Sequence, residues 1–100
     1  MNDVAPPTIR MELSGKKALV LGLGVSGLSM ARWLASRGAG VRVADTRAAP
    51  PCGALLRREL PDVPLTTGAF RSETFADVDM IAISPGVALS EPLVDIARQG

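Results

Sequence analysis

The segment ALVLGLGVSG, residues 18–27, joins an apolar run to three glycines spaced as G-x-G-x-x-G. A helical pattern follows over residues 26–36, and Asp45 closes the next apolar run. A strand, a glycine turn, a helix and a second strand ending in an acid form the context in which this spacing indicates a nucleotide-binding turn. The spacing alone would also fit an ordinary tight turn, so the prediction depends on that order of elements.

Each glycine of the turn has a predicted role. Gly22 lets the chain turn sharply out of the strand, Gly24 lets a pyrophosphate approach the backbone, and Gly27 lets the helix lie close to the sheet. The free N–H groups and the dipole at the start of the helix can hold a diphosphate without a lysine or an arginine. Ser26 either adds a hydroxyl donor to that site or caps the helix.

The same glycines do not form a P-loop. Gly22 and Gly27 have the G-x-x-x-x-G spacing, but Leu28 and Ser29 follow where a P-loop needs Lys and then Ser or Thr. No cation is placed to reach a γ-phosphate, so we predict no ATPase site in this turn.

The composition predicts one small domain. The chain has 100 residues, of which 47% are hydrophobic and only 3% aromatic, so its core should be aliphatic. A net charge of +1, with scattered Lys and Arg, argues against nucleic acid as a partner. The absence of histidine and the single Cys52 argue against a metal site and against a disulfide within the chain.

The ends of the chain and its apolar runs suggest where it works. We expect residues 1–12 to be a flexible leader and residues 13–100 to be a single domain. The first residues lack the cationic start and apolar run of a signal peptide. The longest apolar stretch is broken by Gly22 and is too short for a membrane span. We therefore expect a cytoplasmic domain with no membrane partner.

Strand and helix patterns alternate along the chain. Strands are predicted at 17–21, 41–44, 63–67 and 80–83, the last one covered on both faces, and helical segments at 26–36, 54–60, 72–76 and 90–98. On the first helix, Gly27, Ala31 and Leu34 should face the sheet. This alternation predicts an α/β fold with a Rossmann-like, doubly wound parallel sheet in a single small domain.

In such a sheet, ligands bind beyond the carboxyl ends of the strands. Four turn segments should meet there, at residues 22–27, 45–47, 68 and 84–86. Asp45 is the most informative of them, because an acid at this place can accept from the ribose hydroxyls of NAD. Arg47 would instead favour a ribose 2′-phosphate or stack on a base. Asp45 can also be a simple turn former, so the residues alone leave NAD, NADP and other nucleotides open.

Three segments resemble the N-terminal domain of the Mur ligases. They are GLGVSGLS at 22–29, DTR at 45–47 and SPGV at 84–87, in the order and spacing of that family. The resemblance extends from about residue 14 to residue 100. In that family this domain holds the UDP part of the substrate rather than a dinucleotide. The family often has Thr where this chain has Ser26, a change that keeps the hydroxyl.

The resemblance implies two sets of contacts. The diphosphate would lie against Gly24, with backbone N–H groups from Val25 and Ser26 and the hydroxyl of Ser26 as donors. No residue of this chain is implied to be catalytic or to bind a metal.

The base would lie at the other strand ends. Asp45 and Thr46 would hydrogen-bond the uracil edge, Arg47 would flank the ring, and Gly68 would lie close to it. Ser84, Pro85 and Gly86 would shape the far wall of the site.

The family resemblance also implies a reaction. We expect ATP-dependent addition of D-glutamate to UDP-N-acetylmuramoyl-L-alanine in peptidoglycan precursor synthesis, through an acyl phosphate. The P-loop, the magnesium ligands and the amino-acid site of that family lie in central and C-terminal domains that this chain lacks. The chain alone is therefore not expected to catalyse the reaction or to bind ATP, magnesium or another cofactor.

Two other functions remain as alternatives. The first is the NAD(P)-binding domain of a dehydrogenase, which would use the same glycine turn but place Asp45 against a ribose. The second is a regulatory module that senses a nucleotide. Nothing in the sequence favours the second.

Overall fold

The structure is a computed structural model, and it describes residues 13–85. Its elements, in chain order, are the strand β1 (Lys17–Leu21), helix α1 (Val25–Ser36), strand β2 (Gly40–Asp45), helix α2 (Gly53–Glu59), strand β3 (Leu65–Thr67), a 3₁₀ helix (Ser72–Phe75) and strand β4 (Met80–Ile83). No helix within these residues is long and apolar enough to cross a membrane.

All four of these strands are parallel, in the order β3-β2-β1-β4. The chain proceeds outward from β1 to β2 and β3, and β4 then pairs with the other side of β1. The strand order therefore reverses at β1, which makes a topological switch point beside its carboxyl end. The prediction of a Rossmann-like, doubly wound α/β fold is confirmed.

β1 lies between β2 and β4 and buries side chains on both faces of the sheet. Ala18 and Val20 belong to the core beneath α1 and α2, whereas Leu19 and Leu21 belong to a smaller core with Phe70. Successive strand residues point to opposite faces, so one continuous apolar run supplies both cores.

α1 packs on the first of these cores as its sequence spacing predicted. Gly27, Leu28, Ala31 and Leu34 are its buried residues, and the polar side chains of its outer face are exposed, at Ser29, Arg32 and Ser36. The helix begins one residue earlier than predicted. It is followed by Gly38 at φ 90°, a left-handed conformation that glycine adopts without strain.

β2 and β3 differ from their predicted bounds, and β2 extends one residue further at each end. β3 is shorter than predicted and begins at Leu65. The N–H of Val63 donates to the Leu60 carbonyl at 3.0 Å, in the turn that follows α2, rather than to a neighbouring strand.

β4 was predicted to be covered on both faces, but each of its residues is only half-buried. Met80 and Ala82 pack against the core beneath α1 and α2. Ile81 and Ile83 pack against the core with Phe70. Both faces are therefore covered as predicted, and the burial is incomplete because β4 lies at an edge among the described strands. The predicted leader and the helix at 90–98 lie outside the described residues.

Candidate functional site

The glycine turn between β1 and α1 is held by two close backbone contacts. Gly22 has φ 92°, in the region that favours glycine, and its N–H donates to the Ala44 carbonyl at 2.8 Å. A Cβ on Gly27 would lie 1.8 Å from the carbonyl oxygen of Gly22. α1 therefore presses directly on the turn, which matches the roles predicted for both glycines.

Gly24 differs from its two neighbours in the motif. It is the N-cap of α1, with φ −95° and ψ −161°, an extended conformation open to any residue. A Cβ there would meet no atom of the described residues within 4 Å. Neither the backbone conformation nor the packing of the described residues therefore requires glycine at this position. The close approach of a ligand is the reason for a glycine here that the motif suggests.

The first turn of α1 has uncapped N–H groups. The first helical hydrogen bond runs from Leu28 N–H to the Gly24 carbonyl at 3.0 Å, so the N–H groups of Val25, Ser26 and Gly27 precede it. Within residues 13–85 no side chain caps this helix, and its first turn has no acidic residue. Ser26 is exposed and is not the cap, so its hydroxyl is not committed to that role. Val25 is 78% exposed.

Asp45 lies at the carboxyl end of β2 and is only 2% exposed. Its Oδ2 accepts from the N–H of Leu23 at 2.7 Å and from Arg47 Nη2 at 2.6 Å. Its Oδ1 accepts from the N–H of Arg47 at 2.8 Å and from Arg47 Nε at 2.9 Å. The contact with the N–H two residues ahead is the turn-forming role that the sequence left open for an aspartate.

These contacts set the charge of the pair. The side-chain hydrogen bonds from Arg47 lower the pKa of Asp45 to about 2, against the opposing effect of burial, with further help from the N–H groups of Leu23 and Arg47. The same hydrogen bonds raise the pKa of Arg47. Its guanidinium donates to the carboxylate from two nitrogens, Nε and Nη2. The Arg47 side chain is nevertheless 53% exposed. A fixed cation is thus presented at the sheet edge.

The remaining predicted residues reach the same edge. Thr46 is exposed between the two charged residues. Gly68, at φ 101°, donates its N–H to the Asp45 carbonyl at 3.0 Å. Ser84 is buried at the end of β4, with its N–H on the Leu21 carbonyl at 2.9 Å, and Pro85 is exposed beside it.

The four strand ends therefore converge as the sequence predicted. β1 and β2 are in register at Leu21 and Ala44, and β1 and β4 at Leu21 and Ile83. Gly86, the last of the wall residues, lies outside the described residues. Whether these residues contact a nucleotide stays a prediction.

Leu23 is the part of the site that sequence reasoning missed. Its side chain is fully buried, its N–H donates to Asp45, and its carbonyl accepts from Cys52 N–H at 3.2 Å. It joins the glycine turn to β2 and to the loop before α2. The sequence did offer one signal for this role. Leu23 is a large apolar residue between two glycines, whereas the turn itself needs only a small or polar residue there.

Within residues 13–85, no group of three or more His, Cys, Asp or Glu is arranged to hold a metal ion. The polar groups at the sheet edge are instead main-chain N–H donors, hydroxyls and one guanidinium. Such a set suits an anionic ligand that also carries hydrogen-bonding edges.

A family model described as "Mur ligase MurD-like, N-terminal domain" matches residues 16–100. The chain belongs to this family. The MurD-like N-terminal domain is what the segments at 22–29, 45–47 and 84–87 resembled, so that interpretation is confirmed.

Curated relatives agree with the MurD-like assignment. The chain is 57% identical over 84 residues to the UDP-N-acetylmuramoylalanine–D-glutamate ligase of Thiobacillus denitrificans, covering 84% of this chain and 18% of that protein. It is 52% identical over 89 residues to the ligase of the same name from Nitrosomonas eutropha, covering 89% of this chain and 19% of that protein. The chain thus spans less than a fifth of the length of these relatives.

A solved structure gives the same fold. SirC, a precorrin-2 dehydrogenase, superposes with a TM-score of 0.63 at 15% identity, covering 99% of this chain and 44% of that one. At this identity the likeness shows the fold alone. It does not favour the dehydrogenase alternative for a MurD-like domain.

Proposed function

We propose that this domain binds the uridine diphosphate part of UDP-N-acetylmuramoyl-L-alanine for a ligase that adds D-glutamate to it. One observation supports the proposal most directly. In this MurD-like N-terminal domain, an uncapped helix start and the Asp45–Arg47 pair lie at the same edge of the sheet. The names of the curated relatives supply the substrate and the amino acid.

The diphosphate end of the proposed site is the start of α1. The N–H groups of Val25 and Ser26 precede the first helical hydrogen bond, and the partial positive charge of the helix end favours an anion there. Gly24 leaves the approach open, since no side chain stands over the backbone. The Ser26 hydroxyl adds a donor.

The base end of the proposed site is the turn after β2. Thr46 presents its hydroxyl and Arg47 its half-exposed guanidinium. The buried Asp45 carboxylate holds Arg47 through three hydrogen bonds. Gly68 keeps the neighbouring turn free of a side chain, and Ser84 and Pro85 form the opposite wall.

The complete reaction needs more protein than this domain. In the proposed ligase, the substrate carboxylate would take the γ-phosphate of ATP and release ADP, and the amine of D-glutamate would then attack the acyl phosphate and displace inorganic phosphate. Magnesium would offset the phosphate charges. The residues for those steps belong to the parts of the ligase that this chain does not span. We place the reaction in the cytoplasm, as a step of peptidoglycan precursor synthesis.

The direct test is a ligand-observed NMR titration of the chain with UDP, UDP-N-acetylmuramoyl-L-alanine, NADH and NADPH. The proposal predicts that the two uridine ligands bind in preference to the dinucleotides. A preference for NADH or NADPH, or no binding of either uridine ligand, would overturn it.

Gly24→Val locates the diphosphate in the same titration. The variant should lose UDP binding, because its side chain would occupy the approach to the N–H groups. Its free energy of unfolding should fall by only about 1 kcal/mol, the cost of a poorer N-cap, because the backbone is extended and no atom of residues 13–85 lies within 4 Å of the new Cβ. Ser29→Val, on the exposed face of α1, is the matched control and should bind UDP normally. Unchanged affinity in Gly24→Val would rule out this turn as the diphosphate site.

A further inference from the structure

One carboxylate touches both ends of the proposed site. Asp45 Oδ2 accepts from Leu23 N–H, in the middle of the glycine turn, and from Arg47 Nη2, at the base end. Asp45 Oδ1 accepts from the N–H and the Nε of Arg47. An ionised carboxylate has about four acceptor positions, and these four hydrogen bonds occupy them.

The carboxylate is also closed to solvent. Asp45 is 2% exposed, whereas the Arg47 side chain that covers it is 53% exposed. A ligand arriving at this edge meets the guanidinium of Arg47 and the hydroxyl of Thr46 first. To reach an oxygen of Asp45 it would have to break a part-buried, charge-assisted hydrogen bond from Arg47, and such bonds are among the strongest that side chains make.

We propose that Asp45 is a positioning residue, which holds the glycine turn and the Arg47 guanidinium in one rigid arrangement and does not itself contact the nucleotide. The inference rests on the proposed function, which supplies the nucleoside diphosphate. It differs from the expectation that the Asp45 carboxylate hydrogen-bonds the uracil edge, a task that passes to Thr46 and to the remaining donors of Arg47.

The two roles differ in which ligands they affect. A carboxylate that touches uracil or ribose matters only to ligands with a nucleoside. A carboxylate that orients Leu23 N–H also sets the position of Gly24 and of the first N–H groups of α1, because they follow Leu23 directly along the chain. Its loss should therefore weaken binding of a bare diphosphate as well.

The test measures how much the Asp45→Asn variant loses in affinity for UDP and in affinity for inorganic pyrophosphate, relative to the unaltered chain. We expect both affinities to fall by about tenfold, since the amide keeps one acceptor oxygen but loses the charge that holds Arg47. Asp79→Asn is the matched control: Asp79 Oδ2 accepts from Lys17 N–H at 2.8 Å, at the opposite end of β1. It should leave both affinities unchanged.

A loss for UDP with unchanged pyrophosphate binding would overturn the positioning role while leaving the proposed function intact. If the unaltered chain binds pyrophosphate but shows no preference for UDP, the proposed function fails and the pyrophosphate arm still tests the positioning role.

A ligand-free measurement tests the same contact without reference to function. In ¹H–¹⁵N spectra, Asp45→Asn should move the Leu23 amide and the Arg47 Nε–H signals together. Arg47→Met, which alters a half-exposed side chain and keeps the carboxylate, should move the Leu23 amide as well, because both groups share Oδ2. A Leu23 amide that stays in place in Arg47→Met would overturn the proposal even if Asp45→Asn did not fold.

Discussion

Both ends of the central strand are held by an aspartate that accepts from a main-chain N–H, and the two carboxylates differ in their burial and in the number of hydrogen bonds that they accept. At the amino edge of the sheet, Asp79 is exposed and accepts from Lys17 N–H. At the carboxyl edge, Asp45 is buried and accepts four hydrogen bonds, one of them from Leu23 just beyond β1. A network of several hydrogen bonds around a buried carboxylate restricts its members more than a single solvated contact does, even though Arg47 itself is half-exposed. The carboxyl edge is therefore the preorganised one.

The glycines at the two edges differ in the same way. Gly27 lies where a Cβ would overlap the Gly22 carbonyl oxygen at 1.8 Å, whereas a Cβ on Gly40, at the amino end of β2, would lie 3.7 Å from the Lys16 carbonyl oxygen. The first distance is impossible and the second is an ordinary contact. Close packing of main chain on main chain is thus found at the edge that carries the proposed site.

The largest expected effect is that of Gly27→Ala. The methyl group can be accommodated only if α1 moves away from the turn, so we expect a loss of at least about 3 kcal/mol in the free energy of unfolding. For a small domain this is a large part of the total. Urea denaturation followed by circular dichroism measures it.

Gly40→Ala is the matched control for that variant. It should change the free energy of unfolding by less than about 1 kcal/mol, because alanine fits the strand and loses less conformational freedom than glycine on folding. Equal losses for the two variants would mean that the carboxyl edge is no more tightly packed than the amino edge.

Lowering the pH should reduce the free energy of unfolding by less than Gly27→Ala does, through protonation of Asp45 at the carboxyl edge. The pKa of Asp45 lies at about 2 in the folded chain, below the ordinary value of 3.8, so the unfolded chain takes up the proton more readily. The stability from this carboxylate is complete above the ordinary value and is lost as the pH falls toward 2. The expected loss is about 1–2 kcal/mol, allowing for the exposure of Arg47.

Urea denaturation between pH 5 and pH 2 measures this effect. Arg47→Met removes the main cause of the lowered pKa, so the variant should lose less stability over the same interval than the unaltered chain. Identical pH dependence in the two proteins would show that the ion pair does not stabilise the carboxyl edge.

The elements near the glycine turn could be predicted well from the sequence. β1 has the predicted bounds and α1 begins one residue early, because an apolar run, three glycines and a helical spacing are all local signals. The convergence of the turns at one edge also follows from local signals, once the sheet is known to be parallel.

The partners of Asp45 could not be predicted in the same way. Its contact with Leu23 depends on the register of β1 against β2, which pairs Leu21 with Ala44. Register is a tertiary property, and no local pattern in either strand states it. The half-burial of β4 was missed for a related reason, since an apolar run does not tell a strand at the centre of a sheet from one at its edge.

The smallest expected effect is that of Asp79→Asn at the amino edge. An exposed carboxylate on one main-chain N–H stabilises little, so the variant should lose less than about 1 kcal/mol. Combining it with Arg47→Met then tests whether the two edges are independent. The ends of β1 are separated by about 16 Å of strand, so the two losses should add to within about 0.5 kcal/mol in a double-mutant cycle. A larger coupling would mean that β1 transmits strain along its length, and that the rigid carboxyl edge depends on how the opposite end of the strand is held.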